Sequence, residues 1–181
     1  GAGMAGLAWA GSRAAVGFAP GVLDKGRGIG GRVATRRVGA MQFDHGAQYV
    51  TAQNPSFAAL LSELETDDAL AKWPAEGDRP RYVGRPGMSG LAKALGAGLD
   101  IRQGVQVKGI TKTYDGWALQ LGDSVLKARR VVLTVPAPQV AGLIGAEHQL
   151  VADLAPVRLA PCLTLMAAVN GPVPFTRRPD Q

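Results

Sequence analysis

The chain has one cysteine, two histidines and few aromatic side chains, and each scarcity removes a class of function. With Cys162 alone among 181 residues, no internal disulfide and no multi-cysteine metal site can be built. His45 and His148 lie far apart in sequence, so a histidine-based metal cluster is not expected either. Aromatic residues make up 6%, and the arginine pairs Arg36-Arg37, Arg129-Arg130 and Arg177-Arg178 are short and scattered. A nucleic-acid face interleaves stacking aromatics with concentrated positive charge. The net charge of +6 therefore reads as solvated surface or as contact with a phosphate-bearing small molecule. Glycine and proline interrupt every apolar stretch before it reaches the roughly 20 residues of a membrane span, so no membrane partner is expected. No basic segment precedes an apolar one at the N-terminus, and a cytoplasmic, reducing location is the expectation.

What remains is a composition suited to a packed core: 46% hydrophobic and 19% charged residues. The Ala-rich run 7–18 reads as a helix packed closely on a sheet and ended by Gly17. "VLDK" (22–25) reads as the tail of a buried strand, and "GRGIGGR" (26–32) as a glycine loop. "FDHGAQYVT" (43–51) is a short extended run broken at Gly46. Residues 54–70 carry the strongest helix signal, with Asn54 as cap, Pro55 in the first turn, and Phe57, Leu60, Leu61 and Leu64 on one face. The Pro- and Gly-rich stretch 71–87 reads as loop, and 88–99 as a helix capped by Ser89. From Asp100 to Val135, tight turns at "DG" and "GDS" imply an antiparallel meander. Its last strand, Val131–Val135, is continuously apolar and is expected to be buried on both faces.

The chain opens on "GAGMAG". By itself GxGxxG is a weak signal among 25 glycines. Its mechanism asks for more: an acid about twenty residues on, at the end of the next strand, to hold a ribose hydroxyl. Asp24 in "VLDK" stands there. Gly1 then permits the turn, Gly3 lets the backbone approach a pyrophosphate, and Gly6 lets the helix sit against the sheet. The free N–H groups and positive end of that helix would face the phosphates. Downstream, "GRGIGGR" offers Arg27 and Arg32, either as solvated arginines or as a second phosphate clamp. Two phosphate-directed glycine turns around one ribose-directed acid are more specific than either turn alone.

These segments, together with "FDHGAQYVTA", "RYVGRPGMSGLAKAL" and "VVLTVPAPQ", resemble the FAD-dependent amine-oxidase superfamily, and within it the renalase-like bacterial NAD/FAD-dependent oxidoreductases. The resemblance implies an α/β fold: a Rossmann-type FAD-binding domain with an antiparallel β-meander, plus the start of an α+β substrate domain. It implies FAD as cofactor, with Gly1, Gly3, Ala5 and Gly6 lining the pyrophosphate turn and Asp24 on the adenosine ribose. Arg32, with Gly31 before it in "GGR", would meet the phosphate-ribose region, helped by Arg27. Gln48 and Tyr49 would lie at the flavin end, the Val107 backbone at adenine, and Pro136 where the chain passes the diphosphate. The implied partition is 1–53 and 86–140 as two parts of the FAD domain, 54–85 as an insert, and 141–181 as the start of the substrate domain. The strand that precedes the glycine turn in relatives is missing here, and relatives continue past Gln181. The chain is thus expected to be part of a longer protein and, in isolation, to be poorly stable and to lose FAD.

The implied activity is transfer of a hydride from a reduced small molecule to flavin, with oxygen as the re-oxidant. The substrate is an isomeric dihydro-NAD(P) or an amine. A nucleotide-binding remnant without catalysis is the competing class. No catalytic residue is identifiable. His45 reads as a hydrogen-bonded structural histidine before a catalytic one, Cys162 as a small core residue, and Trp73, Tyr82 and Trp117 as packing residues at loop or strand edges.

Overall fold

A computed structural model describes residues 1–74 and 79–171, so the Arg177-Arg178 pair lies outside the described residues. The chain is mixed α/β and divides into two compact units, Gly1–Ile29 with Gly98–Cys162, and Gly30–Ala97 with the segment from Leu163 onward.

In the first unit the glycine turn leads directly into helix α1 (Met4–Ala14), whose Gly6, Leu7 and Ala10 are buried. Gly17, at φ +85°, takes the chain out of the helical turn, as only glycine does without strain. Strand β1 (Gly21–Leu23) follows. It pairs in parallel with a strand at Asp100–Arg102, with Val22 opposite Ile101. That strand does not lead the meander, because a left-handed turn at Gly104 separates it from the antiparallel strands at Gly109–Thr113, Gly116–Leu121 and Ser124–Ala128. The meander registers Ile110 against Leu119 and Leu119 against Leu126, which buries Ile110 and Leu119. A short helix at Ala141–Ile144 packs on the Gly109–Thr113 strand. Val131–Val135 is not a strand, and Val132 is 45% exposed. Among the described residues no strand edge pairs with this apolar run, and without a ladder it stays irregular.

In the second unit, β2 (Thr35–Val38) and β3 (Met41–Asp44) form a hairpin, followed by α2 (Pro55–Thr66). The Asn54 side chain accepts from the Ser56 and Phe57 N–H groups, at 2.9 and 3.3 Å, and Leu61 and Leu64 are buried. The stretch 71–87 is not a plain loop. Strands β4 (Leu70–Trp73) and β5 (Arg81–Gly84) pair antiparallel, Trp73 opposite Arg81 and Ala71 opposite Val83. Their inner face, Leu70 and Tyr82, joins Leu61 and Leu64 in the core. Helix α3 (Ser89–Leu95) is not capped by Ser89. Its first N–H groups go to the hairpin instead: Met88 donates to Asp44 Oδ1 at 3.0 Å and Ser89 to Thr35 Oγ1 at 3.0 Å, while the Thr35 hydroxyl donates to Asp44 at 2.5 Å. No described helix is long and apolar enough to cross a membrane.

Candidate functional site

The glycine turn is held by three contacts within the first unit. A Cβ on Gly6 would lie 2.0 Å from the Gly1 carbonyl oxygen, so only glycine lets α1 approach the turn this closely. The Thr134 hydroxyl donates to that same carbonyl at 3.2 Å. Asp24, at the end of β1, accepts the Ala2 N–H on Oδ2 at 2.6 Å and the Gly26 N–H on Oδ1 at 2.7 Å. The backbone of Asp24 is fixed in turn: its N–H donates to Arg102 at 3.0 Å and its carbonyl accepts from Val105 at 2.9 Å. Each carboxylate oxygen keeps a second lone pair for a further donor. Among the described residues no side chain caps α1, which leaves first-turn N–H groups and the positive helix end available to an external anion. A Cβ on Gly3 would meet nothing within 4 Å, so the turn is open on that side.

The other residues singled out here are placed less tightly. Ala5 is exposed on the first turn of α1. Val107 lies in the irregular segment two residues past Val105, and Pro136 is exposed two residues past Thr134, where it opens a 3-10 turn at Ala137–Gln139. Arg27 is exposed and makes no ion pair or hydrogen bond among the described residues.

In the second unit Gly30 and Gly31, at φ +113° and +57°, feed a 3-10 turn that carries Arg32. The Arg32 carbonyl accepts the Ala47 N–H at 2.8 Å, and a Cβ on Gly46 would stand 2.1 Å from that carbonyl. "GGR" and "GAQY" are thereby one backbone assembly, which leaves the Arg32 guanidinium exposed and unpaired among the described residues. Tyr49 meets the Trp73 ring edge-on, 6.0 Å between centroids at 83°, and carries the Arg81 guanidinium 4.9 Å above its own ring. Such a cation–π contact contributes about 0.5–1 kcal/mol at an exposed site. Gln48 is exposed and, with Gln42, Phe43, Asp44, Trp73 and Val83 among others, lines an open cavity of about 410 Å³, within the range of small-molecule sites.

Two expectations are corrected by the structure. His45 is not a satisfied structural histidine: its carbonyl accepts the Thr164 hydroxyl at 2.9 Å, but its Nδ1 is buried with no partner among the described residues. Cys162 is exposed, because the segment around it lies outside any sheet. Trp73 and Tyr82 stand in the β4–β5 pair, Trp73 at the end of its strand. Three residues escaped the sequence reading: Thr134, Gly46 and Arg81. Thr134 does carry a signal, as the one polar side chain in "VVLTVPAP". Arg81 carries none, because its role depends on a ring 32 positions earlier in the chain. His148 caps the helix at Gln149–Leu154 by accepting the Leu150 N–H at 3.1 Å. Among the described residues no three His, Cys, Asp or Glu side chains converge to hold a metal.

An NAD(P)-binding Rossmann-like domain family matches residues 1–64, the span with the glycine turn, Asp24, "GGR" and "GAQY". The flavin-containing amine oxidoreductase family matches residues 69–173, more than half of the chain. The chain belongs to that family. As a flavin-containing amine oxidoreductase it uses FAD and acts on a small-molecule substrate. The glycine turn and Asp24 fall in the nucleotide-binding match, and Val107, Thr134 and Pro136 in the amine oxidoreductase match.

Proposed function

We propose that the full-length protein oxidises an isomeric dihydro-NAD(P), with FAD as hydride acceptor and oxygen as the final oxidant. The observation that carries the cofactor part is the Asp24 clamp. One carboxylate ties the Ala2 N–H of the glycine turn to the end of β1 and retains lone pairs for a ribose. The open space at Gly3 and the uncapped start of α1 suit a diphosphate beside it.

In this reading Gly1, Gly3, Ala5 and Gly6 line the pyrophosphate turn, and Asp24 accepts from the adenosine ribose. Val107 offers backbone to adenine, and Pro136 follows the strip fastened by Thr134. Arg32, raised on the Gly31 turn and braced by Ala47, pairs with phosphate, and Arg27 assists. Gln48 and Tyr49 belong to the flavin end. Bound there, FAD supplies the two-electron acceptor, and the protein's work is to orient the reactants and exclude water. Hydride leaves a dihydronicotinamide without a proton being drawn off first, so no catalytic base is assigned.

The "FDHGAQY" and "PGM" signatures, which resemble renalase-like oxidoreductases, and the charge of +6 support a phosphate-bearing substrate. The amine oxidoreductase match itself favours a second reading, a primary or secondary amine. Anaerobic mixing of the FAD-loaded protein with each class separates them. Isomeric dihydronicotinamides are expected to bleach the flavin absorbance while simple amines leave it. Bleaching by amines alone would install the second reading, and bleaching by neither would indicate a nucleotide-binding protein without this activity.

A further inference from the structure

Next to the cavity of the second unit, outside its lining, stands an unclaimed cation. Strand alternation puts Arg81 and Val83 on one face of β5, opposite the core face that carries Tyr82. Val83 and Trp73 both line the cavity, and Trp73 is the register partner of Arg81. Arg81 therefore shares the strand face of two lining residues and adjoins the cavity without lining it. The Tyr49 ring fixes its guanidinium from below at 4.9 Å, and reciprocal 2.9 Å backbone bonds between Val50 and Tyr82 hold that ring's segment against β5. Arg81 forms no ion pair among the described residues. The one acid lining the cavity, Asp44, already accepts from Thr35 and from the Met88 N–H. A positioned, partly buried guanidinium with its donor edge uncommitted among the described residues is a receptor for an oxyanion.

We infer that Arg81 is a specificity-determining residue that takes a phosphate of the dinucleotide substrate; this rests on the dihydro-NAD(P) reading above. The ring of Tyr49 pre-orders the guanidinium, so less side-chain entropy is lost when the phosphate arrives. The amides of Gln42 and Gln48 and the rings of Phe43 and Trp73 offer the uncharged, planar part of such a ligand both hydrogen bonds and apolar cover.

The test compares FAD-loaded parent and Arg81→Gln proteins on an isomeric dihydro-NAD and on its phosphate-free N-methyl dihydronicotinamide counterpart. Arg81→Gln is expected to raise KM for the dinucleotide by roughly tenfold or more with kcat little changed, and to leave KM for the phosphate-free compound unchanged. Calorimetric Kd values for NAD⁺ should weaken in parallel. Arg81→Lys, which keeps the charge but not the planar fork, should fall between the two and serves as the reporter if the glutamine variant does not fold. Unchanged dinucleotide KM and Kd, or an equal rise for both compounds, would overturn the role of Arg81 alone. Oxidation of amines but of neither dihydronicotinamide by the parent protein would overturn the substrate reading and this inference with it.

Discussion

Asp24 receives two backbone N–H groups on two different oxygens, and no neutral side chain can reproduce that. In Asp24→Asn the amide nitrogen must face one of the two donors, leaving the Ala2 or Gly26 N–H without an acceptor. A charge-assisted bond of this kind contributes on the order of 1.5–3 kcal/mol, and a urea unfolding midpoint should fall accordingly; an unchanged midpoint would show that the clamp carries no stability. Arg32 differs because its side chain has no partner among the described residues. Arg32→Ala should leave unfolding nearly untouched yet weaken FAD binding by about 1.5–3 kcal/mol, whereas Arg37→Ala, on an exposed strand of the hairpin, should do neither. Equal FAD affinity in the two variants would dismiss the "GGR" assignment. At this scale the sequence was legible wherever the chemistry is local or has a fixed spacing, as for Gly6 and Asp24. It was not legible for Thr134 or Arg81, whose partners Gly1 and Tyr49 are brought to them only by the fold.

Helices announced themselves better than strands. The α2 signals, a capping asparagine, a first-turn proline and leucines at helical spacing, act within the segment that bears them, and the helix formed where they stand. Asn54→Ala removes the acceptor of two N–H groups and should cost about 1 kcal/mol, read as a lowered denaturation midpoint with FAD affinity retained. No loss would mean that solvent satisfies those groups equally well. The β4–β5 pair was hidden because prolines and glycines crowd both of its ends, and only pairing shows that Leu70 and Tyr82 face a core. The reverse holds for Val131–Val135: the composition suits a buried strand, but a strand requires a neighbour's edge. The start of α3 shows the same dependence, because its cap is made by Thr35 and Asp44, more than forty residues earlier in the chain. Thr35→Val deletes that hydroxyl and orphans the Ser89 N–H. It should destabilise the second unit by roughly 1–3 kcal/mol, seen as faster amide exchange in α3, and unaltered exchange there would count against a long-range cap.

Over the whole chain, the two glycine turns fall in different compact units, one anchored by Asp24 and the other by Gly46 against Arg32. Each unit thus has a glycine turn of its own, and the proposed FAD contacts of the two turns are tested separately by the Gly6 and Arg32 variants. The geometry of the turns was legible because glycines and the acid that ties the first turn are spelled out in order along the chain. The cavity of the second unit was not spelled out, since its wall draws on β3, β4, β5 and the segment Thr164–Ala167 together. The most direct measurement is a titration of flavin-free, full-length protein with FAD, followed by flavin fluorescence, for the parent and for Gly6→Ala. The added methyl collides with the Gly1 carbonyl at 2.0 Å and cannot be accommodated without moving the turn. Saturable binding of one FAD per chain by the parent, weakened by roughly tenfold or more in Gly6→Ala, about 1.4 kcal/mol or greater, is the expected result. Equal affinity in the two proteins would contradict the glycine turn as the seat of the cofactor.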